Sequence, residues 1–167
     1  MSKTFRMGGL LLTVALASWG CGGQSADDLF KSGEKASHNP KDYPQAEKLL
    51  REFLKRFPDD ARGDVALIAL ARILQNQDRP TEAVAAYEKV LEGYPGSPKA
   101  DEAQFMVGYI YDAQRDYDKA RVAYRKVIEK FPHSEFVDDA KVSLEHLGKS
   151  PEQWLAEMKP DTVAAKK

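Results

Sequence analysis

The sequence predicts an all-α fold in which one helical hairpin is repeated along the chain. The first observation is an aromatic–proline pair that recurs every 37 residues, at Phe57-Pro58, Tyr94-Pro95 and Phe131-Pro132. The second is that other positions keep the same step, among them Ala46, Ala83 and Ala120, and also Leu50, Tyr87 and Tyr124. A repeat of this length cannot bury its apolar face alone, so we expect neighbouring copies to stack into a solenoid.

Residues 1–20 are predicted to be a bacterial secretory signal rather than part of the fold. Lys3 and Arg6 make a positive start, and the apolar stretch that follows is too short to span a bilayer. Ordinary signal-peptidase cleavage after Ala17 is one way in which the signal would be removed. The other is cleavage before Cys21, because Ser18-Trp19-Gly20-Cys21 resembles a bacterial lipobox.

Cys21 is the single cysteine of the chain, which calls for an explanation in a secreted protein. Lipidation of Cys21 supplies that explanation, and residues 21–26 would then be a flexible lipidated tether. A free cysteine in an unstructured start is the alternative. Gly22, and not Asp, follows Cys21, which favours the outer over the inner membrane.

The helices follow in order from periodicity, caps and prolines. Residues 27–158 are the predicted solenoid, and its helices are expected at 26–37 and 44–56, at 61–77 and 80–93, at 98–115 and 117–130, and at 135–147. Ser150 then suits an N-cap and Pro151 the first helical position of a short capping helix. We expect Trp154 and Leu155 to cover the open end of the stack, and residues 159–167 to form a disordered tail. Within unit three Gly108 is small because the two helices cross closely there, and Ala71 takes that place in unit two.

The chain resembles the tetratricopeptide repeat (TPR) family. The residues that carry the resemblance are Val107-Gly108-x-x-Tyr111, Ala120-x-x-x-Tyr124 and Pro132, while Gln104 stands where the family pattern has Trp. The resemblance implies a right-handed superhelix of about three helix-turn-helix repeats plus a C-terminal capping helix. The family period is about 34 residues, so each unit here is about three residues longer. We expect those residues to extend each first helix backwards, with Ser97 as N-cap and Pro98 at the first helical position. This longer form is similar to envelope proteins of the BamD and CpoB type.

In a TPR-like stack the first helices of the units line the concave side. The helical period turns two rows of residues on those helices towards the groove. The apolar row is Ile68, Phe105 and Val142, and the polar–aromatic row is Arg72, Tyr109 and His146. Such rows suit capture of a peptide segment. The alternative is that Ile68, Phe105 and Val142 pack between neighbouring first helices.

Composition and motifs do not indicate catalysis. The chain has 167 residues, a formal net charge of −1 and 31% charged residues, a balance that favours neither nucleic acid nor an anionic membrane surface as a partner. His38, His133 and His146 lie far apart, and no metal-ligand spacing, phosphate loop or nucleophile elbow occurs. We expect no enzymatic activity, no catalytic residues, no metal and no cofactor besides the lipid on Cys21.

The resemblance implies a scaffold that binds other proteins. We expect a lipid-anchored periplasmic scaffold at the outer membrane, which holds an extended segment of an envelope protein in outer-membrane assembly or envelope organisation. A soluble periplasmic form is the alternative location. A pilotin-like helper of a secretin or pilus, or a peptidoglycan or small-ligand binding module, is the alternative function.

Overall fold

Seven α-helices make up most of residues 23–150 and 152–153, which are the residues that the computed structural model describes, and this part of the chain contains no strand. The helices are α1 Ala26–Ser37, α2 Tyr43–Arg56, α3 Gly63–Asn76, α4 Pro80–Gly93, α5 Ala100–Ala113, α6 Tyr117–Lys130 and α7 Phe136–His146. A short 3₁₀ helix, Pro40–Asp42, precedes α2. The predicted all-α class and the three helical hairpins are confirmed, and α7 is the first half of a fourth unit.

The helices form two layers. Helices α1, α3, α5 and α7, here called the A-helices, make one layer, whose free surface is named the inner face, and α2, α4 and α6, the B-helices, make the other, whose free surface is named the outer face. Each B-helix packs against the A-helix of its own unit and against the A-helix of the next unit. The A-helices also approach one another, as at α1–α3 and α5–α7. The apolar core lies between the two layers and continues from α1 to α6, with a smaller cluster between α6 and α7.

The crossing of α5 and α6 depends on a glycine, as predicted. A Cβ atom at Gly108 would lie 2.7 Å from two ring atoms of Tyr124, and the Tyr124 side chain is fully buried. Ala71 and Tyr87 occupy the corresponding places in α3 and α4, and both are fully buried. A small residue opposite a buried tyrosine therefore sets how closely the two helices of a hairpin approach.

The prediction that the extra residues lengthen the A-helices is wrong. They form the connectors at residues 57–62, 94–99 and 131–135 instead, and α5 begins at Ala100. The fourth residue of each connector accepts a hydrogen bond from the backbone N–H two residues later, at 3.0, 3.0 and 3.1 Å, and these residues are Asp60, Ser97 and Ser134. Short polar side chains that bond to nearby backbone in this way favour a turn over a helix.

Ser97 has a second partner, because its Oγ donates a hydrogen bond to Oδ2 of the buried Asp64 at 2.5 Å. Asp64 lies in the first turn of α3, so this bond ties the connector after α4 to the start of the preceding A-helix. The side chain that was expected to cap α5 thus holds two repeats together.

Two A-helices end in the same left-handed turn. Asp78 has φ 57° and Arg115 has φ 61°, one repeat apart. After α5, the N–H of Arg115 donates to the carbonyl of Asp112 at 2.8 Å and the N–H of Asp116 to that of Tyr111 at 2.9 Å. This pair of bonds is a Schellman motif, in which glycine is the favoured residue at the left-handed position.

The helix start predicted at Ser150 is confirmed as far as the described residues reach. The Ser150 Oγ accepts a hydrogen bond from the N–H of Gln153 at 3.3 Å, and the Gln153 side chain accepts one from the N–H of Ser150 at 2.8 Å. Trp154, Leu155 and the predicted tail 159–167 lie outside the described residues. So do the predicted signal 1–20 and Cys21.

Gly108→Ala is expected to lower the free energy of unfolding by about 1–3 kcal/mol, because the added methyl group overpacks the crossing against a buried ring. Urea unfolding followed by circular dichroism measures the change. Gly93→Ala is the matched control, since a Cβ there meets no atom within 4 Å and alanine suits a helix better than glycine. A Gly108→Ala protein as stable as the wild type would contradict the close crossing.

Arg115→Gly is expected to raise the free energy of unfolding by about 0.5–1 kcal/mol, because glycine removes the cost of a side chain at positive φ. Thermal unfolding of the two proteins at one concentration gives the difference. Gln114→Gly introduces glycine one residue earlier, where φ is −81°, and should destabilise the protein. A stabilisation by both variants would show that the left-handed turn is not the cause.

Candidate functional site

The inner face of the solenoid is held together by two contacts between A-helices. The Arg72 guanidinium on α3 forms an ion pair with Glu102 on α5, and Lys99 reaches the same carboxylate at 3.2 Å. Further along, Phe105 on α5 stacks on Phe136 of α7 with ring centroids 5.1 Å apart. A polar contact therefore links the middle A-helices, and an aromatic contact links the last two.

Two residues of the predicted apolar row belong to the packing between helices. Ile68 is only 4% exposed and is part of the core. Phe105 is half-buried, and its ring lies 5.5 Å from that of Tyr124 as well as against Phe136. For these two residues the structure favours the alternative that they pack between neighbouring helices, and a role in binding stays a prediction.

Other predicted site residues reach solvent. Tyr109 is 49% exposed and Val142 52% exposed, which makes them two of the most exposed large hydrophobic side chains among the described residues. The Arg72 side chain is also exposed although it is paired with Glu102, and His146 is half-buried. Apolar and hydrogen-bonding groups are thus both available on the inner helices.

A hollow of about 260 Å³ lies on the inner face between α1 and α3. Ile68 and Arg72 line it together, as the sequence predicts for neighbours on one helix face. The other lining residues were not identified from the sequence, and they are Glu34, Ser37, His38, Val65, Ala69 and Lys99. The repeat alignment misses four of them because three come from the end of α1, where the first unit carries an extra loop residue, and Lys99 comes from a connector. Val65 and Ala69 lie on α3 beside Ile68.

Charged side chains of the inner face include Arg72, Lys99, Glu34 and Glu102. Burial raises the pKa of the Tyr124 hydroxyl to about 12, so that this side chain is neutral at physiological pH. Burial likewise raises the pKa of Asp112 on the same hairpin. The face is therefore of mixed sign rather than strongly acidic or basic, which suits a segment that carries both polar and apolar side chains.

The described residues contain no group of three or more His, Cys, Asp or Glu side chains that could hold a metal ion. Within the same part of the chain, none of the helices has the length and apolar character needed to cross a membrane.

The chain is similar to one protein family in sequence and to a solved repeat protein in structure. The sequence model of the outer membrane lipoprotein family YfiO matches residues 23–153. Among solved structures, a tetratricopeptide repeat protein from Parabacteroides merdae ATCC 43184 is 19% identical, with a TM-score of 0.40 over 75% of this chain and 60% of that chain. This chain therefore spans less than two thirds of that protein's length, and none of the curated proteins compared with it matches. The family match covers most of the chain, including all seven described α-helices, and the chain belongs to the YfiO family of outer membrane lipoproteins.

Proposed function

We propose that this protein is a lipid-anchored scaffold at the periplasmic face of the outer membrane, which binds an extended segment of another envelope protein on its inner face. Membership in a family of outer membrane lipoproteins supports an interaction scaffold in the envelope. The observation that carries the choice of surface is the exposure of Tyr109 and Val142 on the inner helices.

The anchor would be a lipid on Cys21. The signal layout and the single cysteine support it, and the first described helix begins only a few residues later, at Ala26. Ser25 caps that helix, because its Oγ accepts from the N–H of Asp28 at 3.1 Å and the Asp28 carboxylate accepts from the N–H of Ser25 at 3.2 Å. A lipid at Cys21 would therefore hold the first repeat close to the bilayer, because only a few residues separate Cys21 from α1.

The partner would be an extended segment with apolar and acidic or carbonyl groups. Apolar side chains would lie on Tyr109 and Val142, since an aromatic ring gives a large contact area at low cost in conformational entropy. Arg72 and His146 would bind polar groups of the segment, and the guanidinium of Arg72 is well suited to carboxylates and carbonyls. A segment bound in this way would run across the A-helices rather than along one of them.

Cys21→Ser is expected to abolish incorporation of a labelled palmitate analogue and to move the protein from the membrane to the soluble periplasmic fraction. Gel mobility, label incorporation and fractionation of cells measure this together. Gln24→Ser, in the same tether, should keep both the label and the membrane association. A Cys21→Ser protein that stays with the membrane would exclude the lipid anchor while leaving the inner-face site to be tested by itself.

Tyr109→Ala with Val142→Ala is expected to weaken binding of the envelope partner by about tenfold or more, because both exposed contacts of the inner face are removed. Pull-down from solubilised envelopes identifies a protein that wild type retains, and titration with a synthetic peptide of its bound segment gives the affinity. Glu129→Ala, on the exposed side of α6, is the control and should bind like the wild type. Unchanged affinity of the double variant would refute the inner-face site, and retention on purified cell wall alone would favour a peptidoglycan-binding module.

A further inference from the structure

The outer face carries two clefts that correspond to each other in the repeat. Each lies between consecutive B-helices, with an A-helix as its floor. The cleft between α2 and α4 has a volume of about 460 Å³, and the cleft between α4 and α6 has about 560 Å³. Leu70 lines the first where Val107 lines the second, and Ala85 likewise corresponds to Val122. Both are larger than the inner hollow, so the outer face offers the more spacious sites.

The cleft between α2 and α4 is bridged by ion pairs. Arg79 Nη1 lies 2.7 Å from Glu47 Oε2, and Arg51 Nη2 lies 3.0 Å from Glu82 Oε2. Within each unit, Arg51 also pairs with Glu47 and Arg79 with Glu82, both at 2.8 Å. These four side chains form one ion-pair network between α2 and α4, and two of its members, Arg51 and Glu82, line the cleft.

The cleft between α4 and α6 lacks both bridges. One repeat further on, Val84 and Asp116 take the places of the first bridging pair, and Glu88 and Lys119 take those of the second. Lys119 pairs with Asp116 at 2.7 Å instead, and its Nζ lies 5.0 Å from the centre of the Tyr111 ring. Because Lys119 is held within its own unit, no ion pair between described residues crosses this cleft, which is here called the open cleft.

The two rims of the open cleft carry opposite charges. Glu88 and Glu92 stand on α4, and Lys126 and Lys130 stand on α6. In the described part of the chain none of these four exposed side chains has a hydrogen-bond or ion-pair partner. Between them the lining is largely apolar and includes Val122, which is 54% exposed. The other charged lining residues, Asp118 and Lys119 on α6, form ion pairs within unit three. The cleft thus combines an apolar floor with an acidic edge on α4 and an edge on α6 whose unpaired charges are basic.

The geometry of the cleft suits a helix better than an extended segment. The charges on each rim are four residues apart, so they run along the helix axes and define a lengthwise groove. The floor is an α-helix whose backbone groups are already bonded, and the buried Gln104 donates its Nε2 to the carbonyl of Ala123 at 3.2 Å. An extended segment would leave its own N–H and C=O groups without partners there, whereas a helix bonds them internally.

We propose that the cleft between α4 and α6 binds an amphipathic α-helix of another protein, with acidic side chains against Lys126 and Lys130 and basic side chains against Glu88 and Glu92. Apolar residues at the helical spacing of the partner lie on the floor and against Val122 on the α6 wall. This site is on the opposite side of the solenoid from the inner face and does not depend on what binds there.

Stapled helical peptides of about 15 residues, roughly the length of α4 or α6, are the probes. All share one leucine stripe, and they differ in the edges that flank it: glutamate on one side and lysine on the other, lysine on both, or glutamate on both. Fluorescence anisotropy in 50 mM NaCl gives the affinities. The full-length protein should bind the mixed-edge peptide about tenfold more tightly than either like-charged peptide, and 0.5 M NaCl should reduce that preference.

Charge reversal on the protein makes the test specific to these rims. Lys126→Glu with Lys130→Glu makes both rims acidic, so this variant should prefer the peptide with lysine on both edges. Val122→Arg should abolish binding, whereas Ala85→Arg, at the corresponding position of the bridged cleft, should leave it unchanged. Circular dichroism checks that each variant is folded.

Several results would overturn the proposal. They are no binding of the mixed-edge peptide, equal binding of all three peptides, an unchanged preference after charge reversal, or a loss of binding in Ala85→Arg with none in Val122→Arg. Sedimentation of the protein alone tests whether a second copy of this chain occupies the cleft. A dimer that Val122→Arg dissociates would mean that a second copy of this chain fills the cleft instead of another protein's helix.

Discussion

The close crossing of the two helices in each hairpin is the constraint on which the rest of the solenoid depends. In unit three Gly108 lies so near the Tyr124 ring that a Cβ atom would come within 2.7 Å of it. The buried ring fills the space between α5 and α6 and also contacts Phe105, which in turn stacks on α7. One small residue therefore fixes the hairpin, and through the aromatic contacts it fixes how the next A-helix is placed.

The repeat makes the backbone alike from unit to unit, but the side chains make the surfaces different. Four side chains form a network of ion pairs between α2 and α4, whereas the residues at the corresponding positions of the next repeat form no ion pair between α4 and α6. Ion pairs at a surface contribute little to stability in water, so their arrangement here matters more for access than for the fold. Ion pairs of the protein's own side chains cross the first cleft, and no described residues form such a pair across the second.

Helix α5 contributes to both sides of the molecule. Tyr109 points its ring to solvent on the inner face, while Val107 and Tyr111 line the open cleft of the outer face. Residues two apart on an α-helix lie on nearly opposite sides, so a single helix separates the two surfaces. The inner face offers polar groups that an extended backbone needs, and the outer cleft offers an apolar floor between charged edges. The two proposed sites would thus bind partners of different conformation on opposite faces.

The sequence by itself determined the all-α class, the repeat and its step, the bounds of α1, α4 and α6, and the need for a small residue at Gly108. Those features follow from local periodicity and from residue size, which a sequence records directly. Only the tertiary structure decided that Asp60, Ser97 and Ser134 form turns, because such short polar side chains can bond to several nearby backbone groups. Ser97 also donates to the Asp64 side chain, which lies 33 residues earlier in the chain. The tertiary structure also decided that Ile68 is buried and that ion pairs cross one cleft and not the other, because burial and pairing depend on distances between helices that are remote in the chain.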